Sequence, residues 1–145
     1  MPVITKKLDY FNPAFLPHLR KCNIEYGKCL KLYKKQQWEK ARIAYEDYIK
    51  NMNKIDKDAK YELAVCYFQL SLKEEKPEKS PDFRISFKML QNLGKANPQN
   101  QKIAQRLYIL YTKRARDRKL DAGDWNNWDD KMKTKMMKKI LDLKA

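Results

Sequence analysis

Apolar positions along residues 58–111 recur at helical spacing and set the register for the rest of the chain. Tyr61, Ala64, Val65, Phe68 and Leu72 fall at i, i+3, i+4, i+7 and i+11, one apolar stripe of a helix. Ile85, Met89, Leu90 and Leu93 make a second stripe, halted by Asn97-Pro98; Ile103, Leu107, Leu110 and Tyr111 make a third. Upstream, residues 19–36 and 37–52 read as two further helices, the second burying Ala41, Tyr45, Tyr48, Ile49 and Met52. Asp56 or Asp58 is available to cap the helix that follows. Ser80-Pro81-Asp82 opens the next, with proline in the first turn where its missing N–H costs nothing. Beyond Asp124, Trp125, Trp128, Met132, Met136, Ile140 and Leu143 recur at intervals of 3, 4, 4, 4 and 3, a last stripe.

Short amphipathic helices joined by tight turns predict an all-α fold: about six helices stacked as hairpins like those of tetratricopeptide (TPR) repeats. Such a unit is a helix pair of about 34 residues, with small or aromatic residues at the helix contacts and proline at the exit. Asn97-Pro98-Gln99-Asn100 supplies one exit, and Tyr26, Gly27, Leu30, Tyr33, Trp38, Ala41, Tyr45 and Tyr48 outline an earlier copy. A plain helical bundle is the alternative. The predicted organisation is an extended N-terminal arm over residues 1–17, a TPR-like domain over 18–123, and a C-terminal amphipathic capping helix over 124–145. The arm is broken by Asn12-Pro13 and Leu16-Pro17 yet rich in apolar residues, so it lies either on its own domain or on a partner. Residues 73–81 form a charged loop with two prolines, a contact hook or a tolerated insertion.

Several of these residues resemble the mitochondrial fission adaptor family. They are Leu63-Ala64-Val65 with Phe68 and Leu70, the Pro98-Gln99-Asn100-Gln101 exit, Leu107, and the run from Trp38-Glu39-Lys40-Ala41 to Tyr45-Glu46-Asp47-Tyr48. The similarity covers residues 24–123. It implies a small protein with two TPR-like repeats in a six-helix bundle, recruiting partners on the mitochondrial outer membrane. Where the family has a tight turn, this chain inserts residues 74–82. Where the family ends in an apolar membrane span, this chain has no run of the roughly 18–20 apolar residues a bilayer crossing needs. Attachment through protein is therefore expected instead of insertion into lipid.

The totals sharpen the choice of partner. A chain of 145 residues with 12% aromatics and only three glycines is expected to fold as one helical domain. Its net charge of +15 favours an acidic partner: a protein surface, anionic lipid or RNA. Most of that charge is lysine, whereas planar recognition of phosphate leans on arginine. Arginine is concentrated only at Arg114, Arg116 and Arg118, beside Lys119, and this is the expected basic patch. Cations at a helix C-terminus also complement the helix dipole.

Catalytic constellations are lacking. His18 is the only histidine, so neither a His-based triad nor a two-histidine metal site can be built. The three glycines are isolated, leaving no phosphate loop. Cys22, Cys29 and Cys66 lack zinc spacing and are expected as buried thiols in a reducing compartment. No cofactor or metal is expected. The sequence points to a non-catalytic scaffold: an accessory subunit of a large mitochondrial assembly, with a respiratory-chain complex or ATP synthase as host by analogy. A fission-type adaptor and a ribosome-associated RNA-binding subunit are the alternatives, and a cytoplasmic location is the alternative to the mitochondrion. By repeat register Glu62, Cys66, Gln69, Gln105, Ile109 and Lys113 would line a protein-binding groove. Trp125, Trp128, Met132 and Met136 would form a docking helix, on a membrane surface or in another protein's groove, unless that stripe simply closes the stack.

Overall fold

A computed structural model describes residues 3–117, and the chain divides into two compact units between Leu70 and Ser71. The fold is all-α: among the described residues there are five α-helices and no β-strand. They are α1 (Leu16–Lys34), α2 (Trp38–Asn51), α3 (Lys57–Ser71), α4 (Pro81–Ala96) and α5 (Gln101–Asp117). In the first unit α1 and α2 form a tightly connected hairpin, and in the second α4 and α5 form another. This agrees with an all-α fold of the helical-repeat kind. The expected C-terminal capping helix lies outside the described residues.

Local chemistry explains where each helix stops. Asp56 caps α3, its Oδ1 accepting from the Ala59 N–H at 3.0 Å. Ser80 caps α4 by accepting from the Asp82 N–H, with Pro81 in the first turn. Asn97 ends α4, donating its side-chain amide to the Leu93 carbonyl, and Asn100 Oδ1 accepts from the Ile103 N–H to start α5. Between α1 and α2 the Gln36 N–H donates to the Tyr33 carbonyl and the Gln37 N–H to the Leu32 carbonyl. That is the double bond of a Schellman turn, which places Gln36 at φ 59°, a left-handed position that usually belongs to glycine. The segment over 73–81 is partly built in: Pro77–Lys79 forms a 3-10 turn, and Pro77 and Ser80 are buried.

The N-terminal arm departs from expectation. Only its first residues are extended; Lys7–Phe11 and Pro13–Phe15 are 3-10 turns, and α1 begins at Leu16 with Pro17 in its first turn. The prolines read as breakers are accepted where a helix start has free N–H positions anyway. The arm lies on its own unit. The Ile4 N–H donates to the Met52 carbonyl at 2.9 Å and the Lys54 N–H to the Ile4 carbonyl at 2.8 Å, a parallel bridge to the α2–α3 turn. Ile4 is fully buried. Asp9, also buried, accepts from the Thr5 and Lys6 N–H groups, and Asn53 donates its side-chain amide to the Tyr10 hydroxyl at 2.9 Å.

Core faces match the apolar stripes in part. Ala41, Tyr45 and Tyr48 are buried on α2, and Ile103, Leu107 and Leu110 on α5, as expected. On α4 the buried face is Phe83, Ser86, Phe87, Leu90 and Leu93, whereas Ile85 is exposed. On α3 the single stripe is replaced by burial around most of the helix, with Leu63, Ala64, Val65 and Cys66 consecutive in the core and Leu72, just past its end, exposed. A helix apolar nearly all round has no one-sided pattern to detect.

Two backbone positions carry a testable cost. Gln36→Gly removes the left-handed penalty, and Gly27→Ala removes a glycine from the interior of α1, where an added Cβ would meet nothing within 4 Å. Each is expected to stabilise the protein by about 0.5–1 kcal/mol, read as a higher midpoint in thermal or urea unfolding.

Candidate interaction site

A continuous network of polar and aromatic side chains lies inside the first unit. The inner face of α1 carries His18, Cys22, Tyr26, Cys29 and Tyr33, recurring at intervals of 4, 4, 3 and 4. Against it stand Tyr45 and Tyr48 of α2 and Glu62 of α3. Glu62 Oε1 accepts from the Tyr26 hydroxyl at 2.5 Å, and Oε2 accepts from the Tyr45 hydroxyl. The Tyr48 hydroxyl donates to Asp56 at 2.7 Å, and His18 Nε2–H donates to the Met52 carbonyl at 3.0 Å. The rings pack on one another as well: Tyr26 lies 6.4 Å from Tyr45 and 5.9 Å from Tyr48, centroid to centroid. Tyr33 stands edge-on to both Trp38 and Tyr45. Farther out, Glu46 accepts from the Tyr67 hydroxyl and from Arg42, which also pairs with Glu39.

Burial dominates the electrostatics of this network. It pushes the Glu62 carboxyl above its ordinary range even though two phenols hydrogen-bond the charged form. The Tyr26 and Tyr45 hydroxyls are held protonated by burial first and by donation to Glu62 second. The Cys29 thiol is raised to about 11 and that of Cys66 to about 12, by burial and then by neighbouring carboxylates. All three cysteines are free, buried and protonated near neutral pH, which makes them poor nucleophiles. Among the described residues no group of three or more His, Cys, Asp or Glu side chains is placed to hold a metal ion.

Of the residues expected to line a groove, two are in the core of their unit. Glu62 and Cys66 are buried, Glu62 being engaged by the tyrosines of α1 and α2, so neither lines an open surface. Gln69 is half-buried on α3. Gln105 and Ile109 are exposed and Lys113 half-buried on α5, in the second unit. In the predicted basic patch, the Arg114 guanidinium sits over the Phe87 ring at 4.2 Å, so this cation also serves packing. The Arg116 side chain, Arg118, Lys119, and the predicted docking residues Trp125, Trp128, Met132 and Met136 lie outside what the structure describes.

Two surfaces of the first unit were not singled out by the stripes. One is the outward edge of the arm. Side chains three apart fall on the same side of a 3-10 turn, so Leu8 and Phe11 share one side, where they are 72% and 82% exposed. The other is the outer face of α1, where Leu16 and Ile24 are exposed among cations. Next to it a groove of about 620 Å³ runs between arm, α1 and α2, lined by Val3, Lys21, Ile24, Asp47 and Met52 among others. No helix among the described residues is long and apolar enough to cross a membrane.

Two measurements test the network. Glu62→Leu strands two phenol hydroxyls and is expected to cost about 1–3 kcal/mol for each in urea unfolding, while the triple change Glu62→Leu/Tyr26→Phe/Tyr45→Phe recovers most of that loss. The raised thiols contribute to the loss of stability at alkaline pH, alongside the buried Tyr26, Tyr45 and Tyr48 hydroxyls. Their contribution is complete below the unfolded thiol value of about 8.5 and is lost as pH climbs through 11 and 12, because the unfolded chain ionises first. Cys29→Ala/Cys66→Ala flattens that part of the stability–pH curve. In comparisons with known proteins, no family model, no curated protein and no solved structure matches the chain.

Proposed function

We propose that this protein is a non-catalytic interaction subunit held in a larger protein assembly, and, on the sequence resemblance to the fission adaptor family alone, that this assembly is mitochondrial. The observation that supports this most is the Leu8–Phe11 edge. An apolar arm free in water would be expected to collapse onto the core or to fray. Here Ile4 and Tyr10 pin the arm to the α2–α3 turn while Asp9 ties the arm to itself, and Leu8 and Phe11 are left turned outward. Single exposed apolar residues are ordinary, but two on the same side of a fixed turn offer a preorganised contact. The helices beneath supply a stiff mount, and the three thiols are too strongly protonated for nucleophilic work at neutral pH.

The test is the size at which the protein travels in a gently solubilised mitochondrial extract. The wild-type chain is expected to migrate with a large complex. The Leu8→Ser/Phe11→Ser variant is expected to migrate as a free 17.5 kDa chain with an unchanged unfolding midpoint, since exposed substitutions rarely exceed about 0.5 kcal/mol. A wild-type protein that itself runs at monomer size overturns the proposal.

A further inference from the structure

The outer face of α1 is organised around a glycine that the fold does not use. Successive helical residues turn by about 100°, which puts Leu16, Arg20, Ile24, Gly27, Lys31 and Lys34 on one line opposite the buried His18, Cys22 and Cys29. Gly27 sits in the middle of that line, with nothing within 4 Å of the place its Cβ would occupy. Packing therefore gives no reason for it, and a glycine in a helix interior costs about 1 kcal/mol against alanine. Around it lies a shallow hollow of about 370 Å³ lined by Gly27, Leu30, Lys31, Lys34 and Lys35. Helical side chains lean towards the N-terminus, so Lys31 and Lys34 project towards the glycine, not away from it.

Along the Gly27 line the charge has one sign: Arg20, Lys31 and Lys34 are exposed, with Lys35 beside them. Lys21 and Lys28 lie about a third of a turn away, where Glu25 pairs with Lys28 at 3.0 Å and Asp47 lines the neighbouring groove. Dipole compensation explains cations in the last turn, but Arg20, Lys21 and Lys28 lie outside it.

We infer that this face is a docking surface for an acidic helix of a protein partner, crossing α1 at Gly27. The inference deepens the proposed function and rests on it. A missing side chain at the crossing point lets a second helix axis come close, while the lysines on either side pair with its carboxylates and Ile24, 61% exposed, meets its apolar residues. Nucleic acid fits less well, because three of these four cations are lysines, point charges without the planar fork that grips phosphate. A membrane fits less well too, because the broad apolar face a surface helix needs is on the inside of this one.

A labelled helical peptide of about 20 residues, with leucines at i, i+4, i+7 and i+11 flanked by glutamates, is titrated with the full-length protein by fluorescence anisotropy. The peptide is expected to bind, and its lysine-for-glutamate counterpart is not. Gly27→Leu, which the open surroundings allow to fold, is expected to weaken binding at least about tenfold, as is Lys31→Glu/Lys34→Glu. Leu8→Ser/Phe11→Ser is expected to bind the peptide as the wild type does, so failure of the assembly experiment and failure here are told apart. The inference is overturned by absence of binding or by a Gly27→Leu protein that binds equally well. Tighter binding of phosphatidylserine vesicles or single-stranded RNA than of the peptide overturns it as well.

Discussion

The first unit depends on one buried carboxylate and the two phenols that serve it. Glu62 sits on α3, Tyr26 on α1 and Tyr45 on α2, so a single side chain ties all three helices of the unit. Unlike an apolar contact, which tolerates sliding by a fraction of a turn, each of these bonds has a narrow range of distance and angle. A one-residue shift of any helix would leave a polar group buried without a partner, at a cost comparable to a large share of a domain's stability. The arrangement contributes register more than net strength, because taking a carboxylate out of water offsets much of what its hydrogen bonds gain. Fixing the inner face of α1 also fixes what its outer face presents.

A second constraint gathers at the turn between α2 and α3. The Met52 carbonyl accepts from both the Ile4 N–H and His18 Nε2–H, and Asn53 reaches Tyr10. One turn thereby holds the arm, the start of α1 and the end of α2. The sole histidine is spent on this task, in the tautomer that carries its proton on Nε2. The arm has little freedom left once Ile4 is buried there, and the outward direction of Leu8 and Phe11 follows from 3-10 geometry.

Helix punctuation was legible in the sequence because it is local chemistry. Asp56, Ser80-Pro81, Asn97-Pro98 and Asn100 mark boundaries through bonds to backbone groups two to four residues away. The faces of α2 and α5 were legible because they are one-sided. What could not be read is what depends on neighbours distant in sequence. Repeat register assigns Glu62 to a groove, and only the hydroxyls of Tyr26 and Tyr45, 36 and 17 positions away, make its burial tolerable. Ile85 looked like core on spacing, yet α4 turns Phe83 and Phe87 inward, since larger rings bury more area. The arm was read as extended because proline disfavours helix at the residue before it, but Pro13 and Pro17 each sit where a helical turn begins.

Net charge says less than its distribution. A value of +15 spread evenly would only keep the protein soluble and bias it towards acidic surfaces in general. Where acids accompany the bases, as in the Glu39, Arg42 and Glu46 cluster on α2, the charge is consumed internally and stiffens the helix. On α1 one glutamate, paired with Lys28, stands among five cations, and repulsion between like charges three residues apart, such as Lys28, Lys31 and Lys34, works against the helix that bears them. The glycine at the centre of that face adds a second local cost. Lys31 and Lys34 complement the helix dipole, but the glycine and Arg20 do nothing for the first unit's fold, since its core faces the other way. Features that cost a helix stability and can be replaced without touching the core are what the proposed contact outside the chain would explain.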